Sequence, residues 1–291
     1  MALFRSRRAT LQRDLTRSMR LLLPAAPDTE RLLAAARLFS PAAQQIDGNR
    51  IAADAQRHVI LGPPVEIDPD LRSAAQLPAD IAVAYFVQIA PSVPLPARPG
   101  DALTDRYQAA KRGAVTALRA QAQCLINGLA TRFAGTAYPV PAEAGQPLHA
   151  DVYTAQEPDG QELAALVSRH VPGLAPVETE WSGRGVITLR ADGAAFEVEY
   201  WPPSVVQIPL TDRAAQGADP FTVVTDVIKP SGRGLHAIIV RAAEPARGAG
   251  PELARTLGQA ALGLTAETGG VCMDLFGFRV LRPDDLIIRG G

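Results

Sequence analysis

The chain has 291 residues, 47% of them hydrophobic and 20% charged, so it is long enough for one large or two ordinary globular domains and too apolar for wholesale disorder. Its 29 basic and 30 acidic residues nearly cancel, which leaves no overall field that would favour nucleic acid or acidic substrates. We therefore expect a globular protein that does not bind nucleic acid.

The subcellular location is predicted from the lack of a membrane-spanning segment and of an export signal in the sequence. No apolar run approaches the roughly 18 residues of a membrane span. No apolar region follows the Arg7-Arg8 pair, as it would in an export signal. The predicted location is the cytoplasm.

Residues 1–17 are predicted to form a basic N-terminal arm. Six arginines against one aspartate give the first twenty residues a local charge of +5. A cationic amphipathic segment can contact an acidic protein partner or lie peripherally on anionic lipid, and a solvated tail is the alternative. The candidate contact residues are Arg5, Arg7, Arg8, Arg13 and Arg17.

Two interpretations compete where this arm ends. Leu11, Leu15, Met19 and Leu22 recur at helical spacing, which predicts one continuous helix. The alternative ends the helix near Arg17 and makes residues 19–23 a strand. We favour the strand.

The first half, residues 18–138, is predicted to mix strands with helices. After the first strand come a helix over Glu30–Phe39 capped by Asp28, strands over His58–Leu61 and Ile81–Ala90, a Pro-rich loop from Pro91 to Gly100, and a helix over about Asp105–Phe133. Gly62-Pro63-Pro64 is expected to close the second strand. Gly135 is expected to end the long helix at its C′ position, before a short strand.

The second half, residues 149–291, shows a similar series. The predicted elements are a strand over Ala150–Ala155, a helix over Gly160–His170, strands over Val186–Arg190, Ala195–Trp201 and Leu235–Ala242, a helix over Pro251–Thr268 stopped by Gly269-Gly270, and a strand over Val271–Leu275.

The dipeptide Asp192-Gly193 predicts a tight hairpin between two of these strands. A two-residue turn pairs Leu189 with Phe196 and Ile187 with Val198 on one face. The opposite face then carries Glu197 and is expected to be a solvated polar surface.

The match between the two series predicts an α+β protein of two tandem halves, related by duplication, each a mostly antiparallel sheet packed by helices. Residues 139–148, which are rich in Pro, Ala and Gly, are predicted to be the linker.

One segment resembles known families. His236–Val240 precedes a long helix that ends in a glycine pair and a short strand, and Ile81–Tyr138 echoes this order. The arrangement resembles bacterial α+β families known only as domains of unknown function. The resemblance covers about the last 60 residues of the chain and implies no catalytic residues.

Two copies of Ser-Gly-Arg-Gly are the candidate anion-binding loops, because flanking glycines can turn backbone amides toward an anion and an arginine can clamp it. The alternative without a binding function is that each loop is a flexible turn with a solvated arginine. The residues are Ser182, Gly183, Arg184 and Gly185 in the first copy and Ser231, Gly232, Arg233 and Gly234 in the second.

No catalytic or metal-binding motif accompanies these loops. Cys124 and Cys272 are read as buried thiols, and no histidine stands at ligand spacing from them, so neither a metal nor a cofactor is predicted. Catalytic residues therefore stay unassigned, and an enzyme is the less favoured interpretation.

Two functional hypotheses remain. The first is a non-enzymatic interaction protein, an adaptor or subunit of a bacterial assembly, that associates with a protein partner or with itself. The second is a small-molecule or nucleotide-binding domain, with or without enzymatic activity, that uses the groove between the halves and the paired loops.

Overall fold

The computed structural model describes residues 2–90, 101–139, 148–158, 160–174, 179–181, 185–190, 194–206, 234–243 and 250–286. Of these, residues 2–8, 101–107, 110, 160 and 179–181 are described by their backbone alone. Over these residues the chain is an α+β protein with two antiparallel sheets, which confirms the predicted fold class. It divides into two compact units, the first up to Ala142 and the second from Glu143 to Ile288. Residues 140–147 of the predicted linker lie outside the described part.

The first unit contains one sheet and four helices in its described part. In chain order the elements are α1 (Ala2–Arg17), β1 (Arg20–Leu23), α2 (Thr29–Phe39), β2 (Gln44–Asp47), β3 (Arg50–Ala52), β4 (Val59–Glu66), α3 (Pro69–Ala74), β5 (Val83–Ile89), α4 (Asp101–Arg132) and β6 (Thr136–Tyr138). The strand order is β2-β3-β4-β5-β1-β6. The predicted loop at residues 91–100 lies outside the described residues.

Helix α1 packs on its own unit. It ends at Arg17, and strand β1 begins at Arg20. Of the two interpretations of this segment, the structure therefore has the one with a strand. Leu15 is fully buried among apolar residues that include Leu22 of β1 and Leu71 of α3. Gln12 Nε2 donates to the Ala74 carbonyl at 3.1 Å. A solvated tail would not bury Leu15, so the second half of α1 belongs to the core of the first unit.

Helix α3 was not predicted, and neither were two features of the strands in this unit. A hairpin joins β2 and β3 through Gly48, whose φ of 43° suits glycine. Strand β4 does not stop at Gly62 but continues to Glu66, with an irregularity between Leu61 and Pro64 in its pairing with β5. A proline has no N–H to donate, and a bulge is where a strand can accommodate one.

Gly135 has a role other than the one predicted. The left-handed residue after α4 is Ala134, with a φ of 53°, so Gly135 is not the C′ residue. A Cβ at Gly135 would stand 2.2 Å from the Leu22 carbonyl oxygen. Glycine is needed there because two backbone segments approach closely.

The second unit also contains one sheet. Its elements are β7 (His149–Thr154), α5 (Gly160–His170), β8 (Thr179–Trp181), β9 (Ile187–Leu189), β10 (Phe196–Trp201), β11 (His236–Ala242), α6 (Pro251–Thr268), β12 (Val271–Asp274) and a 3₁₀ turn (Pro283–Leu286). The strand order is β12-β7-β11-β10-β9-β8. Strand β8 was not predicted.

One face of this sheet packs against α5 and α6. Leu163 and Val167 of α5 and Leu257 and Leu264 of α6 are buried in one core. From the sheet this core includes Val152 of β7, Phe196, Val198 and Tyr200 of β10, and Ile238 and Val240 of β11. Helix α6 ends as predicted, because Gly269 adopts the left-handed conformation with a φ of 60°.

The predicted register of the β9–β10 hairpin was wrong by two residues. Leu189 pairs with Val198 and Ile187 with Tyr200, instead of with Phe196 and Val198. A shift of two residues leaves every side chain on its original face, so the hydrophobic pattern cannot detect it. The predicted turn at residues 191–193 lies outside the described residues.

The two sheets share one topology. Numbered within each unit, both have the order sixth, first, fifth, fourth, third and second strand, and all neighbours are antiparallel. In both, a helix follows the first strand and a longer helix precedes the sixth. This agreement supports the duplication, which itself stays a prediction.

Candidate functional site

The candidate site lies on the face of the second sheet that points away from α5 and α6. We call it the charged face and define it by His149, Asp151, Glu197, Glu199 and Arg241. Their side chains alternate with core residues along β7, β10 and β11. Each is between 16% and 26% exposed, so the group is recessed yet reachable from solvent.

Strand register sets the spacing of these groups. Arg241 lies between Glu197 on β10 and His149 on β7. One row further along, Ile239 lies between Glu199 and Asp151. The charges therefore form two adjacent rows across three strands.

Arg241 is held between carboxylates. Its Nη2 donates to Glu199 Oε2 at 2.5 Å, and its Nε lies 3.5 Å from Glu197 Oε1. Trp201 Nε1 donates to the same Glu199 oxygen at 2.9 Å, while Arg190 Nε lies 3.2 Å from Glu197 Oε2. Both glutamates are thus paired with guanidinium groups.

The Asp151 carboxylate has fewer hydrogen-bond and ionic partners than the two glutamates. Its Oδ2 accepts from the Tyr153 hydroxyl at 3.2 Å, whereas its buried Oδ1 has no hydrogen-bond partner. The nearest ionic contact of Oδ1 is His149 Nε2 at 3.8 Å. Burial raises the pKa of Asp151, and the neighbouring His149 and Tyr153 only partly oppose that shift.

An apolar patch continues the charged face toward the other end of the strands. Tyr153 and Trp201 flank Ala237 on the neighbouring strands. Both rings are partly buried and pack against a cluster that includes Ile239 and Met273. Aromatic and aliphatic side chains therefore border the charged groups on one side.

The expectation of a solvated polar surface at Glu197 and Glu199 was wrong. Both residues lie on the polar face, but their side chains are only 22% and 16% exposed and are engaged by arginines. The partner arginine and Asp151 were missed from the sequence. The available signal was a polar side chain at every second position, with His149, Asp151 and Tyr153 alternating with Ala150 and Val152.

Tyr200 and His236 form a separate buried pair on the core side of the sheet. The Tyr200 hydroxyl and His236 Nδ1 are 2.7 Å apart and the rings are stacked. Burial raises the pKa of Tyr200 to about 12 and lowers that of His236. Each ring satisfies the other's polar group, which is a structural role.

The other histidines contribute to structure. His170 Nε2 lies 2.7 Å from Glu267 Oε1, which links α5 to α6, and Arg169 engages the same carboxylate. These contacts lower the pKa of Glu267 to about 2. His58 follows a loop that the buried Asp54 organises by accepting from the His58 and Val59 amides.

The candidate anion loops fall largely outside the described residues. Residues 182–184 and 231–233, with both arginines, are not described. Gly185 has a φ of 77°, and Gly234 stands two residues before β11. Phosphate binding by these loops stays a prediction.

The arginines of α1 are described in part. Arg13 and Arg17 are exposed, and Arg13 Nε lies 3.8 Å from the carboxylate of the half-buried Asp14. The side chains of Arg5, Arg7 and Arg8 lie outside the described part, although the α1 backbone includes these residues.

Cys272 is buried, Cys124 is half-buried, and neither of the two forms a disulfide. Burial raises the pKa of the Cys272 thiol, which makes it unreactive. Within the described residues, no three His, Cys, Asp or Glu side chains are grouped to hold a metal ion.

None of the helices in the described part of the chain combines the length and hydropathy of a membrane-spanning segment. Comparison with protein-family models, with curated proteins and with solved structures finds no match for this chain.

Proposed function

We propose that this protein is a non-enzymatic interaction protein, an adaptor or subunit of a larger assembly, that contacts an acidic partner through the outer side of α1. The observation that supports this proposal is the burial of Leu15 at the inner side of the helix. Residues two positions away on either side point outward in a helix, and these are Arg13 and Arg17.

The docking of α1 makes this cationic surface rigid. The arginines of a flexible tail would lose conformational entropy on binding, whereas those on a packed helix lose only side-chain freedom. Arg13 and Arg17, four residues apart, lie on the same side of the helix and can engage neighbouring carboxylates.

The described surface favours a polar contact over an apolar one. Tyr138 and Leu281 are the large hydrophobic residues exposed in the described part of the chain, and they belong to different units. Stable obligate interfaces bury large apolar areas. A partner that binds through charge fits this surface better.

The test is affinity purification of the full chain from its native extract, compared between wild type and Arg13→Glu/Arg17→Glu. Deletion of residues 1–17 is unsuitable, because it would also remove Leu15 from the core. Wild type should recover a stoichiometric acidic partner, and the double variant should lose it. Recovery should fall with added salt.

A matched control comes from α4, where Arg112 and Arg119 are also exposed. The Arg112→Glu/Arg119→Glu variant changes the net charge by the same amount and should retain the partner. Equal loss in both variants would mean a nonspecific charge effect. A wild-type protein that recovers no partner would contradict the proposal.

A further inference from the structure

A row of buried polar side chains crosses one end of the second sheet, on the side that faces α5 and α6. We call it the buried polar row and define it by Thr154 of β7, Tyr200 of β10, His236 of β11 and Thr268 of α6. Each is no more than 5% exposed. His236 lies directly opposite Thr154, and Tyr200 is its diagonal neighbour on the other side. The row therefore joins three strands to the end of a helix.

Hydrogen bonds satisfy this row while His236 is neutral. The Tyr200 hydroxyl is 2.7 Å from His236 Nδ1, and the two rings are stacked. Thr154 Oγ1 donates to the Thr268 carbonyl at 3.1 Å. A neutral imidazole can accept or donate at Nδ1, whereas an imidazolium can only donate. Of the four groups, the imidazole is the one that titrates near neutral pH, because burial raises the pKa of Tyr200 to about 12.

A proton on His236 would have no ion-pair partner in the described part of the chain. The two other histidines of this unit, His149 and His170, each lie near a carboxylate. The charged group whose field reaches His236 is Glu157, an exposed residue on the loop after β7. Burial lowers the pKa of His236, and Glu157 opposes that shift only in part.

The position of His236 in the sheet links its protonation to an opening of the structure. It lies on a central strand, because β11 pairs with β10 on one side and with β7 on the other. At 3% exposure, the imidazole reaches water only when this end of the sheet opens. In an open state the ring is hydrated and has its ordinary pKa of about 6.5. The open state therefore binds a proton at a pH at which the closed state does not, and acid shifts the population toward it.

We propose that the buried polar row is an acid-sensitive switch: protonation of His236 opens the end of the second sheet where β7 and β10 flank β11. The neutral ring stabilises the closed state above a pH of about 6.5, and this stability is lost as the pH falls. At pH 5.5, the open state is favoured about tenfold more than at pH 7.5. The switch lies within the second unit and does not depend on the proposed contact of α1.

The first unit provides an internal reference. The side chain of its histidine, His58, is 25% exposed, and Nδ1 lies 3.5 Å from Asp54 Oδ1. A proton on this ring meets a carboxylate and solvent, so it costs the fold little. A change from pH 7.5 to 5.5 should therefore leave β1 and β5 closed.

The test is NMR-detected hydrogen exchange of the full chain at pH 7.5 and 5.5, with each rate divided by the intrinsic rate at that pH. At pH 5.5, protection should fall about tenfold for the amides of Glu199–Trp201 and His236–Ile238 and stay constant for Val83–Ile89. Unchanged protection in β10 and β11 would overturn the proposal. So would an equal fall in β5, which would mean a general effect of acid.

His236→Asn separates this histidine from Asp151 and Glu267, which also titrate in the second unit. An asparagine amide can bond the Tyr200 hydroxyl in either direction and never becomes charged. The variant should therefore show no fall in protection at pH 5.5. His58→Asn is the matched control and should keep the wild-type fall in β10 and β11. A fall of wild-type size in His236→Asn would contradict the proposal.

A direct titration uses the wild-type chain and needs no folded variant. The assigned imidazole Cε1 proton of His236 should titrate with a midpoint below a pH of about 6.5, and protection in β10 and β11 should fall over the same range. A midpoint at or above about 6.5 would show that the closed state accepts the proton without opening, which would rule the switch out.

Discussion

The two units have sheets of the same topology, and at one equivalent position of these sheets the side chains carry opposite charges. Gly135 approaches the Leu22 carbonyl before the sixth strand of the first unit, and Gly270 approaches the Tyr153 carbonyl before the sixth strand of the second. Leu22 and Tyr153 are therefore equivalent. Two residues earlier, the first unit has Arg20 and the second has Asp151.

Both charged side chains are largely buried and incompletely bonded. Arg20 is 3% exposed, donates to the Ser18 carbonyl at 2.8 Å, and has its guanidinium carbon 3.9 Å from the centre of the Tyr138 ring. Its Nε has no hydrogen-bond partner, as Asp151 Oδ1 has none. The aromatic face offsets the charge in the first unit. Nothing comparable is described around Asp151.

The same comparison extends to the whole face of each sheet. In the first unit, α1 and α3 cover Leu22 and Ala84 with apolar side chains. In the second unit, the equivalent face carries the ion pairs of Arg241. One topology thus supports an apolar second layer in one unit and a recessed charged surface in the other.

The largest expected effect concerns the glycines that the two units share. A Cβ at Gly135 or Gly270 would stand 2.2 or 2.4 Å from a backbone oxygen of the first strand. The backbone must shift to relieve this, so each Gly→Ala variant should lose about 2–3 kcal/mol of unfolding free energy. Urea denaturation followed by far-UV circular dichroism measures the loss.

Gly113, exposed within α4 and with open space around its Cβ position, is the control. Gly113→Ala should be neutral or stabilising, because alanine is the better helix former. A wild-type-like midpoint in only one of the Gly135 and Gly270 variants would break the equivalence of the two units.

Leu15→Ala tests whether α1 is part of the first unit. Leu15 is fully buried, so truncation should cost about 2–4 kcal/mol, and thermal denaturation would show the lower midpoint. Arg13→Ala, on the exposed side of the same helix, should change stability little. Equal stability of both variants would mean that α1 does not form the second layer of the first unit.

The smallest expected effect is a pH dependence that separates Asp151 from Arg20. Burial raises the folded-state pKa of Asp151 above its unfolded value, despite the nearby His149 and Arg241, and Asp274 adds to the rise. The folded protein therefore favours the protonated acid, and wild type loses stability as pH rises through that pKa.

Asp151→Asn should consequently be more stable than wild type near neutral pH, by on the order of 1 kcal/mol, with the difference vanishing in acid. An Arg20→Met variant should differ from wild type by a constant amount, since arginine stays charged throughout. Denaturant titrations at several pH values measure both differences. A pH-independent difference for Asp151→Asn would contradict its buried charge.

The sequence was sufficient for features that depend on local chemistry. Asp28 accepts from the Glu30 amide as an N-cap, and Gly269 ends α6 in the left-handed conformation. Both follow from backbone groups close in sequence. The alternation of apolar residues likewise identified β10, because the sheet buries one face.

Features set by distant segments were not predictable in this way. The charged face depends on Arg241 and His149 meeting across β7 and β11, which are separated by more than eighty residues. The need for glycine at position 135 arises from the carbonyl of a strand at the other end of the unit. Only strand order brings such groups together, and residue pattern alone leaves strand order open.

Trp201, which donates to Glu199 on the charged face, has a further consequence for spectroscopy. Both tryptophans of the chain, Trp181 and Trp201, belong to the second unit. Fluorescence excited at the indole band therefore reports on that unit, while the far-ultraviolet signal reports on both. Tryptophan fluorescence is thus an intrinsic probe of the second of two sheets that share one topology. One of its two indoles, that of Trp201, donates a hydrogen bond to Glu199, which is paired with Arg241.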